Sequence, residues 1–175
     1  LLCLVLPWDQ VDESICAKPL EWSGKTLGRF MRFFGPISSV FDIITFAYLF
    51  FVLCPAVCGG TFASLSGSGE QARFIILFQT GWFLESMWTQ VLILHLLRTQ
   101  KVPLLQSRPS RPVMVVTLLG TAVFTLLTFT PMGEWIGLTA LPPVYFVFLA
   151  VTVFFYLLWV TLAKRWYIRH YHELL

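Results

Sequence analysis

The sequence predicts an all-α membrane protein: a bundle of four full transmembrane helices in two antiparallel hairpins, preceded by the end of a fifth helix and a cytoplasmic loop. Three observations carry this expectation. The chain is 57% hydrophobic and only 12% charged, with 17 Phe and 7 Trp among 175 residues, more apolar surface than a soluble domain of this length can bury. Four runs, 37–57, 74–97, 113–130 and 144–163, approach or exceed the roughly 20 apolar residues that span a bilayer's hydrocarbon core. Lys and Arg fall in alternating segments: four in 8–36, one before the second run, four in 98–112, none between the third and fourth runs, and three in 164–175. Eleven of the 12 therefore lie on one side, which the positive-inside rule makes cytoplasmic.

Taken in order, residues 1–7 read as the tail of a truncated membrane helix ended by Pro7, with Trp8 as an interfacial anchor. Residues 8–36 form a cytoplasmic loop of mixed charge. It includes a short amphipathic helix capped by Ser23 and running through Leu27 and Phe30, with Arg29 and Arg32 at the membrane surface. Gly35–Pro36 is expected to break that helix, and Pro36 to start the first span at 37–57. Gly59–Gly69, rich in Gly and Ser, reads as a flexible exposed turn. The second span is 74–97. Arg98–Pro112 has three prolines, which forbid a long helix. The third span, 113–130, offers Gly120 as a close-packing point. Residues 131–143 form a short turn, 144–163 the fourth span, and 164–175 a basic, aromatic cytoplasmic tail. Residues 37–163 are then a four-helix transmembrane domain in the cell membrane, with both ends of the segment cytoplasmic.

The second span, FIILFQTGWFLESMWTQVLILHLL, carries an acid inside an otherwise apolar run. At 100° per residue, Gln79, Glu85, Ser86, Thr89 and Gln90 share an arc of roughly 140°, with Leu84, Met87, Leu92 and Leu96 off it. A carboxylate at this depth costs several kcal/mol unless it pairs, neutralises or meets water. The stripe is thus expected to face other helices or a hydrated cavity, either as polar glue or as part of an ion pathway. In the first span Ser38, Ser39, Asp42 and Thr45 share an arc of roughly 120°. Asp42 is an intramembrane acid near a helix N-terminus, where the dipole favours it.

Other chemistry finds no support. Four cysteines without a CxxC, and His95, His170 and His172 at scattered positions, make no metal framework, so the thiols are expected to be free. No Walker loop, H-E-x-x-H or G-x-S-x-G motif occurs, which leaves no catalytic residue. The basic loops flank membrane runs and need no nucleic-acid partner.

Two long stretches, LGRFMRFFGPISSVFDIITF (Leu27–Phe46) and FQTGWFLESMWTQVLILHLLRTQKVPLLQSRPSRP (Phe78–Pro112), resemble the C-terminal membrane domain of magnesium-importing P-type ATPases. LPWDQVD (Leu6–Asp12) and LPPVYF (Leu141–Phe146) match in order. The resemblance covers nearly the whole chain and implies the end of the sixth membrane helix through the tenth. It implies a translocase whose phosphorylated D-K-T-G aspartate and ATP-binding domains lie upstream, with magnesium as the transported ion and no cofactor held by this portion itself. The implied partners are lipid and the pump's remaining helices and cytoplasmic domains. The family's cation ligands come mostly from its fourth, fifth and sixth helices, so Glu85 is the ligand candidate here. Asp42 matches the family without an assigned role. The alternative is a self-contained four-helix module, such as a small carrier or an assembly subunit.

Overall fold

The computed structural model describes residues 24–97 and 110–171. The expected helix tail at 1–7, the Trp8 anchor, the Ser23 cap, Cys3, Cys16, His172 and most of the loop after the second span lie outside them. Six α-helices are described: α1 (Gly24–Tyr48), α2 (Cys54–Cys58), α3 (Ser68–Leu97), α4 (Arg111–Leu127), α5 (Pro131–Trp135) and α6 (Pro143–Tyr171). No strand occurs among the described residues.

Helix α1 departs from the expected break at Gly35–Pro36, for Pro36 lies inside one continuous helix. The proline removes the donor that the Arg32 carbonyl would have used. Arg32, Gly35 and Pro36 are all exposed, so that carbonyl need not go unsolvated. Packing on both sides of the proline holds the helix together: Phe30 and Phe34 lie against Tyr167, and Phe41 meets Tyr156 edge-on at 5.3 Å. The expected amphipathic helix in 8–36 is the beginning of this longer rod.

Between α1 and α2, Leu49–Leu53 form a π turn, closed by a bond from the Cys54 N–H to the Leu49 carbonyl five residues earlier. Pro55 supplies the reason. It offers no N–H to the Phe51 carbonyl, and its ring would crowd that carbonyl, so the widened turn relieves the clash without ending the rod. Gly59, at φ +79°, then stops it in the left-handed conformation that glycine adopts without strain.

The Gly/Ser-rich turn is less free than its composition suggests. Leu65 is buried, Phe62 packs on Phe74 with ring centroids 5.4 Å apart, and Gln71 Nε2 donates to the Leu65 carbonyl at 2.7 Å. Helix α3 takes in Ser68 and Gly69, with Glu70 in its first turn where the dipole favours an acid.

Ser110 stands at the N-cap position of α4 and Pro112 lies in its first turn, so the helix takes in two residues of the expected loop. Gly120 does not act as the close-packing point, because a Cβ there would meet nothing within 4 Å. Gly81 and Gly133 take that role. A Cβ at Gly81 would lie 2.6 Å from Leu49 Cδ2, and one at Gly133 only 2.2 Å from the Leu127 carbonyl oxygen. Helix α6 begins at Pro143 and runs through the segment expected to be a tail. Lys164 and Tyr167 are buried there, and Trp166 stacks between Phe33 and His170. The inward spacing Tyr156, Val160, Lys164, Tyr167 is helical throughout, which explains the continuation.

Helix α3 packs against α1, α2, α4 and α6, and α6 also packs on α1. Aromatic pairs give the directions. Phe46 meets Phe78 while Phe50 meets Phe74, so α1 and α3 are antiparallel. Tyr48 stacks on Phe148 while Phe41 meets Tyr156, so α6 also opposes α1 and runs parallel to α3. Trp88 donates to Thr125 and His95 bonds Thr117, which sets α4 antiparallel to α3. Gly28–Cys58 and Pro143–His170 are each long and apolar enough to cross a bilayer, and in each only 22% of the most apolar window is buried. Phe51, Leu118, Val147 and Phe154 point outward, each more than half exposed. The apolar surface of this fold is largely on its outside.

Candidate functional site

Two apolar clusters occupy opposite ends of the α1–α3–α6 sandwich. One gathers Leu49, Leu53, Phe74, Leu77, Leu84, Tyr145 and Leu149; the other gathers Phe30, Phe34, Phe41, Tyr156, Val160 and Tyr167. On each helix a gap separates them, and the gaps coincide. Asp42 and Thr45 fill it on α1, Glu85 and Thr89 on α3, and Thr152 on α6. All but Asp42 are at most 5% exposed; Asp42 is half-buried.

Gly81 sets the register of this polar layer. Without a side chain it admits Leu49 from α1, and its carbonyl accepts a hydrogen bond from the buried Tyr145 hydroxyl of α6. One turn further along α3, and one turn back along the antiparallel α1, Glu85 and Thr45 come opposite each other. Glu85 is fully buried, and among the described residues neither carboxylate oxygen meets a neutral hydrogen-bond donor. Asp42 is the charged side chain beside it, and Tyr145 and Tyr156 are within electrostatic reach. Two ionised carboxylates can only accept, so neither can satisfy the other without a proton or a cation between them.

The remaining stripe residues separate. The Thr89 hydroxyl turns back onto its own helix, donating to the carbonyls of Glu85 at 3.0 Å and Ser86 at 3.1 Å. Ser86 is half-buried and accepts from Gln90 Nε2 at 3.2 Å, while Gln79 and Gln90 are exposed. The arc therefore has an inner edge, Glu85 and Thr89, and an outer edge, Gln79, Ser86 and Gln90. Leu84, placed off the arc by periodicity, is fully buried. Helices α1 and α6 press on α3 from two sides, which widens the buried face beyond the polar arc.

Sequence reasoning missed Tyr145, Thr152 and Tyr156 as members of this layer. They recur at i, i+7 and i+11 in α6, a spacing that returns to one helical face. That signal is weak in a run where nearly every other residue is apolar. Among the described residues no group of three or more His, Cys, Asp or Glu gathers, so any cation held here would rest on two carboxylates plus neutral oxygens.

Among the described residues the fold is an all-helical bundle with two helices apolar enough to cross a bilayer and a buried carboxylate layer, and the chain belongs to the family described as cation transporting ATPase, C-terminus, which matches residues 1–166. Among curated proteins it is 40% identical over 170 residues to the "Magnesium-transporting ATPase, P-type 1" of Salmonella typhimurium strain LT2, an alignment covering 97% of this chain and 17% of that protein. The protein of the same name from Escherichia coli K12 is 37% identical over 168 residues, covering 96% of this chain and 17% of that protein. The chain thus spans about one sixth of the length of these relatives.

Proposed function

We propose that this chain is the C-terminal membrane portion of an ATP-driven pump that transports magnesium across the cell membrane. In this reading α1 with α2, α3, α4 and α6 cross the bilayer as four spans in two antiparallel hairpins, with both ends of the segment cytoplasmic. They brace the transport helices contributed by the rest of the polypeptide, which also supplies ATP binding and phosphorylation. The family match and the activity in the relatives' names favour this over a self-contained four-helix module.

Glu85 is the residue offered to the ion path. The observation that carries this is its complete burial, between two apolar clusters, with no neutral donor on either oxygen and a second carboxyl, that of Asp42, as its polar neighbour. Polar glue alone would give that carboxylate a neutral donor, as the threonines of α4 are satisfied on backbone carbonyls. Magnesium favours oxygen ligands and keeps several waters, which suits a carboxylate on a hydrated path. The outer edge, Gln79, Ser86 and Gln90, then faces the pump's other helices, because amides at this depth are costly against lipid.

Substitution in the full-length protein tests the role. Glu85→Gln keeps shape and is expected to leave the protein folded and inserted while weakening magnesium uptake or shifting its magnesium dependence. Glu85→Leu is expected to do at least as much damage. Uptake and magnesium-dependent ATPase unchanged in Glu85→Gln would reduce Glu85 to a packing residue.

A further inference from the structure

The polar layer holds a second carboxylate and two further oxygens that neither the ion-path role of Glu85 nor helix packing uses. Asp42 lies one turn before Phe46, which meets Phe78 and Trp82, so the antiparallel register sets it beside Glu85 on α3. The hydroxyl of Thr45 is fully buried and without a hydrogen-bond partner, and that of Tyr156 is fully buried with Ser38 of α1 in hydrogen-bond reach. The Thr45 hydroxyl is the more telling. Thr80, Thr89, Thr117, Thr121 and Thr128 all donate to a carbonyl of their own helix three or four residues earlier. Thr45 does not, although such a bond is open to any helical threonine. The Gly81–Leu49 contact sets it opposite Glu85. Tyr156 approaches from α6, fixed by its edge contact with Phe41, one residue before Asp42, and is within electrostatic reach of both carboxyls.

We propose that Asp42 and Glu85, with the Thr45 and Tyr156 hydroxyls, form one divalent-cation site bridging α1, α3 and α6, in which Asp42 is the second carboxylate ligand. The inference rests on the ion-path reading of Glu85 and extends it to a helix and residues to which that reading gives no role. Two carboxylates balance the charge of a hard divalent cation, which takes oxygen ligands and completes its shell with water. Either carboxylate alone would leave the cation's charge half neutralised at membrane depth. A cation so held would tie together three helices that otherwise meet through apolar clusters, so its binding would register in their packing.

The test uses the full-length protein carrying this segment, purified and reconstituted without nucleotide for binding and with it for transport. Magnesium uptake is one readout; binding of manganese, a hard oxygen-seeking stand-in visible by electron paramagnetic resonance, is the other. Asp42→Asn is expected to raise the magnesium concentration for half-maximal uptake about tenfold or more and to weaken manganese binding in parallel. Asp42→Glu should restore part of the loss, because it returns the charge. Tyr156→Phe keeps the ring against Phe41 and is expected to give a smaller shift of about two- to fivefold. The Asp42→Asn, Glu85→Gln pair should be little worse than the worse single variant, since both remove one site.

If Glu85→Gln shifts both readouts and Asp42→Asn shifts neither, the shared site is wrong and the Glu85 reading stands. If neither shifts, the Glu85 reading falls and the site with it. Losses that multiply in the double variant also overturn the shared site, because they describe two independent ones. Should Asp42→Asn fail to insert and fold, Tyr156→Phe and Thr45→Val decide, and unchanged manganese binding in both rejects the proposal.

Discussion

At the scale of single residues, the contact between Gly81 and Leu49 fixes the geometry on which the polar layer depends. A methyl group at Gly81 would sit 2.6 Å from Leu49 Cδ2 and 3.0 Å from Cδ1, so Leu49 must leave its place before an alanine fits. Overpacking of this kind costs about 1–3 kcal/mol. Gly81→Ala is therefore expected to lower the thermal unfolding midpoint in detergent, and adding Leu49→Ala should return part of the loss by removing the clash. Destabilisation equal to the sum of the two single variants would mean that the close approach does not hold the register. The residue that sequence reasoning chose for this role, Gly120, faces open space. Glycine in a membrane helix signals that a neighbour can come close; it carries no information on whether one does.

At the scale of elements, the interface of α3 with α4 shows how threonine works where burial has little hydrophobic reward. Lipid is as apolar as leucine, so helices associate through packing and polar contacts. Thr117, Thr121, Thr125 and Thr128 first satisfy themselves on carbonyls of the preceding turn. Two of them then meet α3, where Trp88 Nε1 donates to Thr125 Oγ1 at 3.3 Å and His95 Nε2 lies 3.0 Å from Thr117 Oγ1. Such bonds between membrane helices are worth about 0.6 kcal/mol on average. Trp88→Phe should cost about that hydrogen bond plus the lost ring contact, and Thr125→Val combined with it should add little more. A double-variant cycle on thermal stability reads the coupling; none at all would mean that the two helices are held by apolar contact alone. The prolines make the same point about context. Pro36 is expected to break a helix and does not, because aromatic packing on both sides holds the helix together. Pro55, inside the expected first span, follows a π turn that widens the helix around it.

At the scale of the molecule, an outside richer in large apolar side chains than its polar middle is the arrangement that a bilayer favours and water does not. The four-span reading makes a labelling prediction. With Cys3, Cys16, Cys54 and Cys58 replaced, a single cysteine at Ser66 should react with a membrane-impermeant reagent on intact cells, and one at Ser107 should not. The opposite pattern would reverse the proposed orientation. Helix α3 is a further case in which the whole decides. Its 30 residues extend about 45 Å at 1.5 Å per residue. It is nevertheless absent from the helices apolar enough to cross by composition, because Gln79, Glu85, Ser86, Thr89 and Gln90 dilute it.

The sequence by itself determined that the chain is helical and apolar on the scale of a membrane. It also placed an acid at the centre of α3 and the family motifs in order along the chain. These are properties of local composition, helical period and spacing, which a linear reading senses directly. Only the tertiary structure decided what those residues meet. It divided one polar arc into an inner edge and an outer edge, because α1 and α6 cover α3 on two sides and leave a third open. It brought Asp42 beside Glu85 across 43 positions of sequence, and Tyr156 to both, because Leu49 seated on Gly81 fixes the register of antiparallel helices. The period of a helix says which residues share a face; what lies across from that face is set by the contact of one helix with another.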